Sequence, residues 1–302
     1  MIFKKLRGLH KLEAFDYFVI AALLLIGAVT LYPTVHILSV SLSDANEVGK
    51  GIGIFPRRIT LKAYRYILYH DLIPIGYRNS LLYTVVGTAI NLFMTTIGAY
   101  ALSKRRLVGR KLFTFLIVFT MYFSGGLIPS YLLVRRLGMV NTIWALVFPR
   151  AVSVWNLILM RTYFQSLPAE LEESCFLDGA SVYRTLRSII LPISKPIIAT
   201  IGLFYALSHW NSYFQALIYI KSSVKYPLQL MIRDIVLGDV LQERIFEVED
   251  IANEQLGDFD PIQYMLNFKY ATIFISLIPL LIIYPFVQKY FVKGIMIGSL
   301  KG

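Results

Sequence analysis

Apolar residues gather in six long runs, at about 17–42, 80–103, 112–133, 142–164, 196–220 and 270–291, separated by more polar segments. Roughly 20 apolar residues at 1.5 Å rise cross a ~30 Å hydrocarbon layer, so each run is long enough for a transmembrane helix. The pattern predicts an all-α integral membrane protein of six spans, a single domain over residues 1–302, with both ends on one side. The first run follows a basic leader, Lys4, Lys5, Arg7 and Lys11, that resembles the start of a signal peptide. The run is too long for a signal core, which predicts a retained first span. Two outer connections are long. Segment 43–79 holds an aromatic, basic stretch, Ile59–Tyr69, suited to a short helix on the membrane surface. Segment 221–269 is polar, with nine acids from Asp234 to Asp260, and is expected to form a small ordered cap or a partner-docking surface.

Composition agrees with the runs. Apolar residues make up 57% and charged residues 16%, against about 45–50% and 25% in ordinary soluble domains. A net charge of +12 in a soluble protein would suggest nucleic acid. Here the cations sit beside apolar spans, where they anchor to lipid head groups and set topology, so no nucleic-acid partner is expected. Residues 104–111, KRRLVGRK, hold five cations and no acid. This short loop and the leader are therefore predicted to be cytoplasmic, as are both termini.

Several kinds of chemistry are missing. The lone Cys175 excludes an internal disulfide, and no histidine pair has metal-ligand spacing, so no metal site is expected. Gly49-Lys50 and Gly109-Arg110 both fail the phosphate-loop pattern. No cofactor is expected on this chain, and any ATP and its Mg must be handled by another subunit. Catalytic residues are likewise not expected; the work predicted is vectorial.

The most informative segment is 166–192, SLPAELEESCFLDGASVYRTLRSIILP. Ser166 is placed to cap a helix, Pro168 suits its first turn, and Glu170, Glu172 and Glu173 lie near the positive end of its dipole. Gly179 turns the chain, and a second helix is expected from about Ala180 to Ile190 before Pro192 and Pro196 redirect it. Glu173-Ser174-Cys175, three residues, Gly179, nine residues, then Ile189-Ile190-Leu191-Pro192 resembles the EAA loop of ABC importer permeases. Ser174 and Cys175 stand where that family prefers Ala. Trp210-Asn211 and the tail Lys293–Gly302 resemble the maltose-type carbohydrate branch, including relatives that import larger or acidic oligosaccharides such as alginate.

The resemblance implies a bacterial inner-membrane subunit working with a second homologous permease, two ATPase subunits and an extracytoplasmic solute-binding protein. It also implies that Glu172, Glu173, Ser174, Cys175, Asp178 and Gly179 form the coupling helix that an ATPase grips. The residues themselves leave the substrate path more open. On one helix Tyr205, His209, Ser212 and Tyr213 share a face, with Trp210 and Asn211 beside them. Such groups suit a sugar-lined path, and they equally suit helix packing. Arg150, after Pro149, is either a cation on the path of an anionic substrate or a side chain snorkelling to head groups. Ser124-Gly125-Gly126 with Pro129 allows a kink or close helix approach in the third span. The reading is an oligosaccharide importer permease, the saccharide acidic if Arg150 and the outer Arg57, Arg58 and Lys62 meet it. Its rivals are a permease for amino acids or peptides, an ATP-independent carrier and a membrane-embedded enzyme.

Overall fold

A computed structural model describes residues 14–69, 72–237 and 261–299, and every regular element among them is helical. The described residues fall into two compact units, one of residues 14–67 with 261–275, the other of residues 68–237 with 276–299. The expected acidic cap lies mostly at 238–260, outside the described residues, as do the basic leader and the last three residues.

In the first unit, α1 (Ala14–Leu42) runs uninterrupted through Pro33, and only Ser39, Val40 and Ser41 are buried. Most of the rest is apolar, and none of its most apolar 18-residue stretch is buried. Its C-terminal end is tied down by polar contacts. Asn267 donates through Nδ2 to the carbonyls of Val40 at 2.7 Å and Ser43 at 2.9 Å. Ser41 Oγ lies 2.6 Å from Tyr64 Oη. Beyond it Asp44 caps the short α2 (Ala45–Val48), and Lys50 hydrogen-bonds Glu47, holding that carboxyl below the ordinary carboxylate range. A short helix forms near the expected Ile59–Tyr69 stretch as α3 (Lys62–Tyr69), with Ile67 fully buried and Leu61 and Leu68 exposed.

The second unit is built on α4 (Leu72–Ser103), which starts eight residues before the apolar run that predicts it. Its main neighbours are α8 (Val154–Ser166) and α11 (Lys195–Trp210). Ala99, Tyr100, Leu157, Met160, Ile190 and Ile201 form the centre of their shared core.

Three predicted spans are not continuous helices. The third divides into α5 (Arg110–Tyr122) and α6 (Leu127–Arg136), bent by 114°, because Gly126 takes φ 84°, a conformation open to glycine. The fourth divides into α7 (Trp144–Val147), a 3₁₀ turn Phe148–Arg150 and α8. Pro149 supplies no N–H to an α-helical ladder, and Ser153 caps α8. The fifth divides at Asn211-Ser212 into α11 and α12 (Tyr213–Tyr219). Among the described residues, three helices, within Ala14–Leu42, Ile73–Ser103 and Tyr264–Pro285, are singly long and apolar enough to cross a bilayer, and two bent pairs meet the same test.

The 166–192 segment forms two helices with local corrections. Ser166 is not the cap: it ends α8, and its hydroxyl donates to Tyr163 O at 2.8 Å. Helix α9 (Glu170–Leu177) begins after Ala169 instead. Helix α10 (Val182–Ile193) is capped by Ser181 and continues through Pro192. It does so by widening to a π turn at Leu186–Ile190, where Leu191 N–H reaches back to Leu186 O. The chain then turns by 84° at Ser194, not at Pro192. Two further helices complete the description, α13 (Leu228–Leu237) and α14 (Pro261–Ser299).

Asn267→Leu removes both donors to the end of α1 without changing side-chain size greatly. The expected loss is about 1–3 kcal/mol, read as a fall of several degrees in the detergent-solubilised thermal midpoint. An unchanged midpoint would show that these carbonyls are satisfied without Asn267.

Candidate functional site

Two regions of the second unit carry the predicted site residues. The first is the turn between α9 and α10. Gly179 takes φ 77°, Ala180 N–H donates to Cys175 O at 2.9 Å and Gly179 N–H to Phe176 O at 3.1 Å. This is a Schellman closure, which needs a left-handed residue and so favours glycine. Asp178 is the exposed helix cap, and the turn closes through backbone bonds around it. Glu173 and Ser174 are exposed, whereas Cys175 is buried within this chain, its Sγ donating to Leu171 O at 3.0 Å. Leu171, Phe176, Leu177, Val182 and Tyr183 present apolar surface on both sides of the turn. Glu172 pairs with Lys104, whose ammonium lies 3.8 Å from the centre of the Tyr100 ring. The turn is thereby fastened to the end of α4 and to the basic 104–111 loop.

The second region is a cavity of about 390 Å³ between α4, α11 and the breaks of the fourth and fifth predicted spans. Its lining includes Asn91, Arg150, Ser153, Asn156, Tyr205, Ser208, His209, Ser212 and Gln215. Of the residues singled out by sequence, Arg150, Tyr205, His209 and Ser212 come together here. Trp210 is buried edge-on against Tyr77 instead. Asn211 bonds back to Leu207 O in its own helix, and Tyr213 is exposed away from the lining. The single helical face drawn through Tyr205 and Tyr213 does not exist, because the helix ends between them.

The break that exposes Arg150 is held by side chains. Asn91 Nδ2 donates to Arg150 O at 3.2 Å. Ser153 N–H donates to Tyr205 Oη at 2.9 Å, and that hydroxyl lies 2.6 Å from Thr95 Oγ1. Tyr205 therefore supports the wall with its hydroxyl already engaged. The Gln215 amide lies over the Arg150 guanidinium, within 3.1 Å of its three nitrogens. His209 is buried with its ring against Gly87, where a Cβ would stand 2.4 Å from Nε2. Asn91 Oδ1, His209 Nε2 and Ser212 Oγ are buried without a hydrogen-bond partner. No Asp or Glu lies among the lining residues, and none of the ion pairs among the described residues involves Arg150. The region thus offers one cation, polar side chains and apolar walls, a set that can hold an anionic, hydroxyl-rich ligand.

Asn91 and Asn156 escape a reading based on the predicted fifth span alone. A polar residue in the middle of an apolar run was the available signal for Asn91. Gln215 follows Asn211 at helical spacing, and only the break shows that it faces Arg150.

Residues 75–297 match the family model described as binding-protein-dependent transport system inner membrane component. Among curated relatives, protein LplC of Bacillus subtilis is 42% identical over 279 residues, covering 92% of this chain and 91% of its own. The polygalacturonan/rhamnogalacturonan transport system permease protein YtcP of the same organism is 39% identical, covering 97% of this chain and 100% of its own. A crystal structure of a bacterial ABC transporter involved in the import of the acidic polysaccharide alginate contains a chain of similar fold. Its TM-score is 0.81 at 35% identity, over 94% of this chain and 100% of that one.

Gly179→Ala meets no steric obstacle but must hold φ 77°, at a cost of about 1–2 kcal/mol. Amide exchange at residue 180 should accelerate roughly 5–30-fold. An unchanged rate would mean that the left-handed turn carries no local stability.

Proposed function

The chain belongs to the binding-protein-dependent transport system inner membrane component family, and on that premise we propose that it passes an acidic oligosaccharide of the uronic-acid class along a path containing Arg150. It is a transport subunit and not an enzyme; ATP hydrolysis belongs to partner subunits. The observation that carries the substrate reading is Arg150 in a cavity whose described lining has no acid and whose amide Gln215 leaves its charge intact. The substrates named for two similar proteins, polygalacturonan and alginate, support it because both are polymers of uronic acids.

The proposed assembly pairs this chain with a second permease, two ATPase subunits and a solute-binding protein that delivers the saccharide from outside. Six crossings of a bacterial cytoplasmic membrane follow if α1, α4 and α14 cross singly and the three broken runs supply the others. The 166–192 segment is assigned to the cytoplasmic face. The Lys104–Glu172 pair supports this by placing α9 beside the basic 104–111 loop, whose cations favour that side. ATP-driven movement of a partner seated on the exposed Phe176 and Leu177 would then be transmitted through the Gly179 turn and α10 to α11, on which His209 lies. Cys175, buried in this chain, helps position α9 rather than meeting the partner.

Two experiments test this reading. Arg150→Gln should remove a charge-assisted contact worth about 1.5–3 kcal/mol, lowering uptake of an oligogalacturonate into proteoliposomes roughly 10–100-fold while the complex still assembles. Undiminished uptake removes the acidic-substrate reading. For topology, Leu177 is 88% exposed and Cys175 is not, so Leu177→Cys in a Cys175→Ala background is the better probe. An impermeant thiol reagent should leave it unmodified in intact cells and label it in inside-out vesicles lacking the ATPase. Labelling of intact cells reverses the orientation.

A further inference from the structure

Resting on the reading of this cavity as the substrate path, we infer that Gly87 is a positioning residue: the side chain it lacks lets the His209 ring recess against α4, and the depth of that recess sets how bulky a saccharide the path admits. Gly87 lies in the middle of α4, where glycine is destabilising relative to alanine, so its presence calls for a packing reason. The contact supplies one. A Cβ at this position would stand 2.4 Å from Nε2, 2.5 Å from Cε1 and 2.8 Å from Cδ2 of His209. The edge of the imidazole therefore fills the place that a side chain on α4 would take.

Contacts on both sides of His209 hold α11 against α4. One turn earlier, the Tyr205 hydroxyl lies 2.6 Å from Thr95 Oγ1 and accepts from the Ser153 N–H. One residue later, Trp210 packs edge-on against Tyr77, with ring centres 5.8 Å apart. With the helices fixed in this way, a Cβ at Gly87 has to move the ring, by about 1 Å to regain ordinary van der Waals contact. His209 is buried, and the open space it borders is the cavity of about 390 Å³ that Arg150, Asn156 and Ser208 also line. Close-packed surroundings pass such a shift on instead of absorbing it, so room for the ring is taken from the cavity. Substitution of Gly87 by alanine adds no charge. Its effect falls on girth, apart from whatever Arg150 does for an anion.

Two saccharides of equal charge and unequal girth test this. The assembled complex in proteoliposomes receives an equimolar mixture of trigalacturonate and its mono-O-acetyl derivative, and the quantity read is the ratio of acetylated to plain sugar taken up. The same binding protein serves every variant, so its own preference cancels between them. Poorly folded protein lowers both uptakes and leaves their ratio unchanged.

Gly87→Ala should lower the ratio about tenfold, the scale on which a filled pocket discriminates one added methylene. His209→Ala alone should raise it, because the ring is gone, and Gly87→Ala combined with His209→Ala should return it to the wild-type value or above. A wild-type ratio in Gly87→Ala, or a low ratio that persists in the double variant, overturns the role given to Gly87. An unchanged ratio in His209→Ala overturns it too, and decides the matter if Gly87→Ala does not assemble. Arg150→Gln tests the underlying reading separately, since it should lower both uptakes together. If it does so while the ratios fail, only the role of Gly87 falls; if it leaves both uptakes untouched, the cavity is not the path and the substrate reading falls.

Discussion

Backbone groups inside a membrane must find hydrogen-bond partners within the protein, and the second unit is organised around meeting that demand where its helices stop. The key contact is the Tyr205 hydroxyl, which takes the N–H of Ser153 at the start of α8 and lies 2.6 Å from Thr95 on α4. With Asn91 bonded to Arg150 O, it stabilises a non-helical stretch between the 3₁₀ turn and α8. Without such partners the stretch would return to a helix or unfold at several kcal/mol per orphaned group. With them, the chain can place Arg150 at a fixed point on a cavity wall. The same logic applies at the other end of the cavity, where the interruption after Trp210 brings Gln215 to the guanidinium.

Electrostatics then distinguishes this cavity from a packing defect. A polar interior serving helix association alone would pair its cation with an acid, as Lys104 is paired with Glu172 at the end of α4. Arg150 meets an amide instead. The contrast within one chain separates two settings of a cation, one paired with an acid and fastening α9 to the rest of the structure, the other beside a neutral amide. The two regions are mechanically continuous, since α10 leads from the Gly179 turn through Ser194 into α11, and α11 carries Tyr205 and His209.

The apolar runs made much of this legible. Their lengths predicted a helical membrane protein, and the spacing around Gly179 predicted the two-helix segment and its family. Gly126 and Pro149 were visible as places where a helix could be disturbed, yet hydropathy does not report helix direction, so runs of the right length concealed three interruptions. The end of α11 was hidden most completely, because Asn211 and Ser212 are tolerated within helices and stop one only when tertiary contacts favour the alternative. The interruption leaves Asn211 and Tyr213 outside the cavity that His209 and Gln215 line. Ser166 misled for a related reason: a serine before Pro reads as a cap, but its hydroxyl found the preceding turn first.

The central claim is that an anionic saccharide meets Arg150 through a carboxylate, and a structure of the assembled transporter with trigalacturonate bound in the membrane subunits addresses it most directly. The account predicts a carboxylate oxygen about 2.7–2.9 Å from the Arg150 guanidinium, the spacing of a charge-assisted hydrogen bond. A bound trigalacturonate whose carboxylates all lie beyond hydrogen-bonding distance of Arg150, or an Arg150 withdrawn toward the head groups while the sugar occupies the path, would contradict it.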